Sequence, residues 1–168
     1  MDVSEVIKKR KSIRRYEQGA TVTDEQVKLI LEAAMLAPSA KNKRPWEFMV
    51  VRNKEKLAEV MDVHPYSKML ETAGLGIIVS ANMDFDYKGF FPQDCAAATQ
   101  NILLQCAEMN LGTCWCGVYP VEELVAQFKN IFELPENIVP FAIIAVGTSS
   151  EEFGSRGFYE EEKVQWIN

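Results

Sequence analysis

Apolar positions along the first residues recur at Val3, Val6 and Ile7, a three-and-four spacing that predicts a short helix. Asp2 and Glu5 are set as a capping pair at its start, and Arg10 follows on the same side at its end. Val27, Ile30, Leu31, Ala34 and Met35 then give a longer amphipathic helix, opened by Thr23 with Gln26 and stopped by Pro38. Residues 48–51 read as a short buried strand, 53–59 as the start of another helix, and 75–81 as a second strand. Residues 94–110 are small or apolar on most faces, with Gly112 placed to end them; such a helix belongs at the centre, in the core or between subunits. Residues 113–118 look extended, 122–130 helical, and 139–146 form a third hydrophobic strand ending at Gly147. Strands separated by helices predict one sheet between helical layers. The tail after residue 148 has no period but carries Phe153, Phe158, Tyr159 and Trp166, which argues that it packs on something, a partner subunit among the candidates.

Composition narrows the class without changing that picture. A chain of 168 residues, 48% hydrophobic and 25% charged, suits one globular domain over 1–168, and no repeat or linker divides it. A net charge of −6 disfavours nucleic acid as a partner, so any polyanion must meet a local basic patch. The N-terminus lacks a signal-peptide core, and the apolar run AIIAV is far too short to cross a bilayer; the expected setting is cytoplasmic, with no membrane partner. Cys95, Cys106, Cys114 and Cys116 are expected as reduced thiols. Cys114 and Cys116 have one residue between them, short of zinc spacing, and His64 is the sole histidine, so no metal site is expected.

Two stretches are candidates for chemistry. Arg10, Lys11, Ser12, Arg14 and Arg15 lie within six positions of an otherwise acidic chain. Their mutual repulsion is relieved by water at a helix end or by an anion, and guanidinium groups with a hydroxyl match phosphate oxygens. The connector PSAKNKRPW, residues 38–46, either caps and turns the chain or hydrogen-bonds a polar ring.

RKSIR at 10–14, PSAKNKRPW at 38–46, DCAAATQNILLQCAEMNLGTCWCG at 94–117 and IIAVG at 143–147 occur in the order found in the nitroreductase family, which the chain resembles over nearly its whole length. That resemblance implies an α+β fold: a three-layer sandwich with a central mixed sheet flanked by helices, assembled as a domain-swapped homodimer. It implies two FMN molecules at the interface, each held by both subunits. Arg10, Lys11, Ser12 and Arg14 fall at the family's flavin site, with Arg10 at the phosphate and Arg14 near the phosphate, ribityl chain or pyrimidine edge. Pro38, Ser39, Ala40 and Asn42 match the loop that the partner lays along the flavin. Trp115, Cys116 and Gly117 match the segment whose backbone amides approach the ring, and Gly147 and Arg156 match the segment closing the phosphate end.

The same resemblance implies an oxidoreductase that takes hydride from NADH or NADPH onto flavin N5 and then reduces a small-molecule acceptor in the same pocket, a ping-pong cycle. No side chain is expected to act as a catalytic acid; Arg14 would act electrostatically and His64 reads as a loop residue. Residues 81–93 are a short cover, leaving an open pocket for flat acceptors such as nitroaromatics, quinones or free flavins. Phe85, Tyr87, Phe90 and Phe91 either wall the ring or close the core, the core being the preferred reading. Alternatives are reductive dehalogenation, oxygen-dependent consumption of the flavin, FMN storage or sensing without turnover, and a thiol redox protein using Cys114 and Cys116.

Overall fold

A computed structural model describes residues 1–155 and 157–167. Helix α1 (Val3–Lys9) and helix α2 (Asp24–Met35) both begin in complete capping boxes, Asp2 with Glu5 and Thr23 with Gln26, so the sequence signals act as read. Strand β1 (Trp46–Val51) leads to α3 (Lys54–Val63), β2 (Leu75–Asn82), α4 (Phe91–Glu108), β3 (Leu111–Gly117), α5 (Glu122–Ile131) and β4 (Ile138–Thr148). Among the described residues, no helix is long and apolar enough to cross a membrane.

The strands form one sheet in the order β1-β2-β4-β3. Every neighbouring pair is antiparallel, which corrects the expected mixed sheet. After β1, α3 runs outward and residues 65–74 return to the same end, since Val51 pairs with Gly76; α5 and residues 132–137 do likewise between β3 and β4. Such out-and-back connections join antiparallel neighbours. α4 alone carries the chain across the sheet, its 18 residues reaching about 27 Å at the helical rise. It leaves β2 and β3 parallel to each other, but β4 lies between them.

β2 and β4 are apolar almost throughout because helices cover both faces. One face packs Ile77, Val79, Ile144 and Val146 against Ile30 and Ala34 of α2 and Ala98 and Ile102 of α4. The other packs Ile78, Ile143, Cys114 and Cys116 against Leu57 and Val60 of α3 and Phe128 of α5. The outer edge of β3 is partly covered by the chain after α1: Ile13 N–H donates to Thr113 O at 2.8 Å, and Tyr16 bridges to Ser149. Of the aromatics in residues 81–93 only Phe91 enters the core; Phe85 and Phe90 are exposed, because the chain there turns at the surface through Asp86, whose carboxylate caps Gly89 and Phe91.

Candidate active site

The basic segment is built against the β3 edge. Ile13 is fully buried and drives into the surface made by Gly112, where an added Cβ would stand 2.7 Å from Ile13 Cγ2. That anchor leaves Arg10, Lys11 and Ser12 half-buried and Arg14 and Arg15 exposed. Tyr16 closes the segment, its hydroxyl donating to Ile13 O at 2.9 Å. Among the described residues no salt bridge involves Arg10, Lys11, Arg14 or Arg15. The Glu151 carboxylate accepts from the Arg14 backbone N–H at 2.8 Å. That hydrogen bond, with help from Lys11 and Arg15, holds the Glu151 carboxyl below the usual glutamate range. The guanidinium groups remain available to an anion.

A cavity of about 310 Å³ opens beside this segment, lined by Arg14, Pro65, Tyr66, Lys68, Met69 and the Cys114-Trp115-Cys116 stretch of β3. The β3 edge supplies its peptide groups. Thr113 O is taken by Ile13, and Gly117 O is 2.9 Å from His64 Nε2. Because outward peptide groups recur every second residue in a strand, the N–H and C=O of Trp115, midway between those two, face the same open edge. Cys114 and Cys116 instead turn their side chains into the core below. The Cys114 thiol is held low by the neighbouring Cys116 thiol and by Arg14, against the opposing effect of burial; Cys116 is held high by that neighbour and by burial, and its Sγ lies 3.4 Å from Tyr66 O.

His64 lies in the loop that follows α3, and it is buried there. It caps α3, is 2% exposed, and its Nδ1 accepts from the Tyr66 N–H at 3.2 Å, which leaves the Nε2 proton to donate to Gly117 O. The ring thus ties the β3 edge to the opposite wall of the cavity.

The second candidate stretch lies elsewhere. Ala40–Asn42 form a 3-10 turn between α2 and β1, with Pro38 exposed and Ser39 and Ala40 half-buried. Lys41, Asn42 and Arg44 all hold left-handed backbone angles near +50°, a strain of about 1–3 kcal/mol each that must be held from outside. Ser39 Oγ accepts from Arg44 N–H at 2.9 Å, and Asp94 Oδ1 accepts from Ala40 N–H at 2.9 Å. Trp46 pairs with Ala81, opposite Val139, whereas Ser12 pairs with Thr113, opposite Val146. The two stretches therefore occupy opposite corners of the sheet, about 30 Å apart from strand rise and spacing. One chain does not bring them together.

Gly147 lies under Tyr16, where a Cβ would meet the ring and Gly74 N at 3.0 Å, so its smallness serves packing beneath the basic segment. Arg156 lies outside the described residues. Tyr66, Lys68, Asp94 and Glu151 escaped the sequence reading. Lys68 and Tyr66 sit in an aperiodic turn, whereas Asp94 left a trace as an acid on an otherwise apolar helix face.

Residues 7–71 and 62–148 match the nitroreductase family. A protein of Methanothermobacter thermautotrophicus, provisionally named NADH dehydrogenase/NAD(P)H nitroreductase, is 43% identical over 165 residues, spanning 98% of this chain and 86% of that protein. An FMN-dependent nitroreductase of Clostridium difficile R20291 superposes with a TM-score of 0.88 at 31% identity, covering 97% of this chain and 98% of its own. A provisionally named nitroreductase of Desulfovibrio desulfuricans, solved in complex with FMN, gives 0.86 at 28% identity, covering 100% and 98%. With the four motifs in order and the full-length fold, the chain belongs to the nitroreductase family.

Proposed function

We propose that this chain is an FMN-dependent NAD(P)H oxidoreductase whose flavin lies along the basic corner, and that it reduces nitroaromatic, quinone or flavin-type acceptors in a ping-pong cycle. The carrying observation is that the Arg14 guanidinium, unpaired among the described residues, and the free edge peptide of Trp115 meet at one aromatic-walled cavity, with Arg10, Lys11 and Ser12 on the same segment. This donor set fits FMN: Arg10, Lys11, Ser12 and Arg14 suit a phosphate, and Tyr66, Met69 and the β3 edge suit a flat ring carrying hydrogen-bonding groups. Bound FMN supplies two-electron redox chemistry between a nicotinamide nucleotide and an acceptor. Arg14 and Lys68 place positive charge at the cavity, where anionic character on a ring is stabilised without any proton transfer from a side chain.

Each site would be completed by a second chain. The loop carrying Pro38, Ser39, Ala40 and Asn42 is too far from the basic corner of its own chain, and a two-fold dimer would bring one chain's loop to the other's cavity. The tail after residue 148 supports that assembly: Phe158, Tyr159, Trp166 and Ile167 are strongly exposed in the single chain. A partner offers them the groove of about 640 Å³ between α2 and β1, lined by Val27, Leu31, Met35 and Val50.

The test is a visible spectrum of purified protein after FMN loading and desalting, followed anaerobically by NADH and then NADPH. Flavin bands that persist and bleach with a nucleotide support the oxidoreductase. Bands that persist and never bleach favour storage or sensing, and no retained flavin contradicts the reading. Bleaching that survives serine at both Cys114 and Cys116 excludes the thiol mechanism.

A further inference from the structure

Asp94 stands alone as a charged residue on the buried face of α4, among Phe91, Cys95, Ala98, Thr99 and Ile102. It is 5% exposed, and only one carboxylate oxygen is used: Oδ1 accepts from the Ala40 N–H at 2.9 Å, while Oδ2 is buried without a hydrogen-bond partner. Its place in the first turn of α4 lets the helix N-terminus favour the carboxylate, but an orphaned buried oxygen is destabilising and calls for another reason to be there. Ala40 supplies one: it opens the turn in which Lys41, Asn42 and Arg44 are held in left-handed conformations. Strained backbone of this kind persists only where neighbours over-determine it.

We infer that Asp94 is a positioning residue for the flavin site, clamping the 38–42 loop through the Ala40 N–H in the shape that meets a flavin on the partner chain. This rests on the proposed FMN function, and nothing in the family match assigns it. Asp94 touches no reacting atom; it acts through the loop. Side-chain contacts within the loop are few, Ser39 to the Arg44 N–H and the Arg44 guanidinium to Met35 O, so a single external acceptor carries much of its order.

The loop contains its own reporters, since trypsin cleaves after Lys41 and Lys43 once the turn opens. In flavin-free protein, Asp94→Ala is expected to speed cleavage at these two bonds about ten-fold or more, as leaving the Ala40 N–H without its acceptor implies. FMN affinity, read by quenching of flavin fluorescence, should fall by a similar factor. Asp94→Asn keeps an acceptor oxygen and should stay close to wild type in both measurements. An alanine variant with wild-type cleavage and affinity would overturn the inference, as would an asparagine variant as impaired as alanine, because charge rather than the acceptor would then matter. If Asp94→Ala fails to fold, Asp94→Leu, which fills a similar volume without an acceptor, takes its place in both measurements. A wild-type protein that binds no FMN would instead contradict the functional reading, a failure the tryptic comparison does not mimic.

Discussion

The two corners of the sheet solve the same problem by different means. At the β3 corner, backbone pairing does the positioning: Ser12 and Ile13 lie on the strand edge, Ile13 is locked over Gly112, and the cationic side chains project from a rigid base. At the β1 corner the loop has no ladder to lean on, and two side-chain acceptors, Ser39 and Asp94, hold three left-handed residues. Charge needs only to be nearby, whereas a hydrogen-bonding loop must be held in shape. The first corner accordingly rests on its backbone pairing and on the Ile13–Gly112 packing beneath its cations, and the second depends on single side-chain contacts.

The largest effect is expected at the cations. Replacing Arg10 and Arg14 together with alanine should weaken FMN binding by about 100-fold or more, as two hydrogen bonds to charged groups imply, with little loss of fold since Arg14 is exposed and Arg10 half-buried. Fluorescence titration with unchanged affinity would remove the basic corner from the site. Next, Gly112→Ala forces a methyl against Ile13 at 2.7 Å, which should cost about 1–3 kcal/mol by overpacking. Urea unfolding reads the stability, and FMN affinity should fall with it because the segment shifts. A change of similar size is expected at His64→Ala. It leaves the Tyr66 N–H and Gly117 O without their buried partner, about 1–3 kcal/mol, and should shift the visible bands of bound flavin; unchanged bands would make His64 a structural residue only. The smallest effect belongs to Glu151. Its folded carboxyl titrates below the ordinary 4.5, so its contribution is present above that value and fades as pH falls through the folded one. Glu151→Gln should therefore flatten the acid limb of FMN retention, and an identical limb would discount it.

The elements of the fold were largely legible. Both capping boxes, the α2 stripe and the apolar strands appear where side-chain period and caps put them. The sheet's antiparallel order was not, because a helix between two strands reads alike whether it crosses the sheet, as α4 does, or returns to its own end, as α3 does. Local motifs disclosed the basic cluster and the 38–46 connector as stretches, but not their distance, since separation depends on strand order. His64 and Asp94 act through single long-range hydrogen bonds, to Gly117 and Ala40, and such contacts leave no periodicity in a sequence.

A flavin site divided between two chains is tested most directly by mixing subunits. One variant carries Arg10→Ala and Arg14→Ala, the other Asp94→Ala with Asn42→Ala, and each alone should bind FMN poorly. Unfolded and refolded together in equal amounts, they should regain about a quarter of the wild-type flavin sites, because half the dimers are mixed and each mixed dimer holds one intact site. No recovery, from subunits demonstrated to exchange, would mean that each chain builds its site alone.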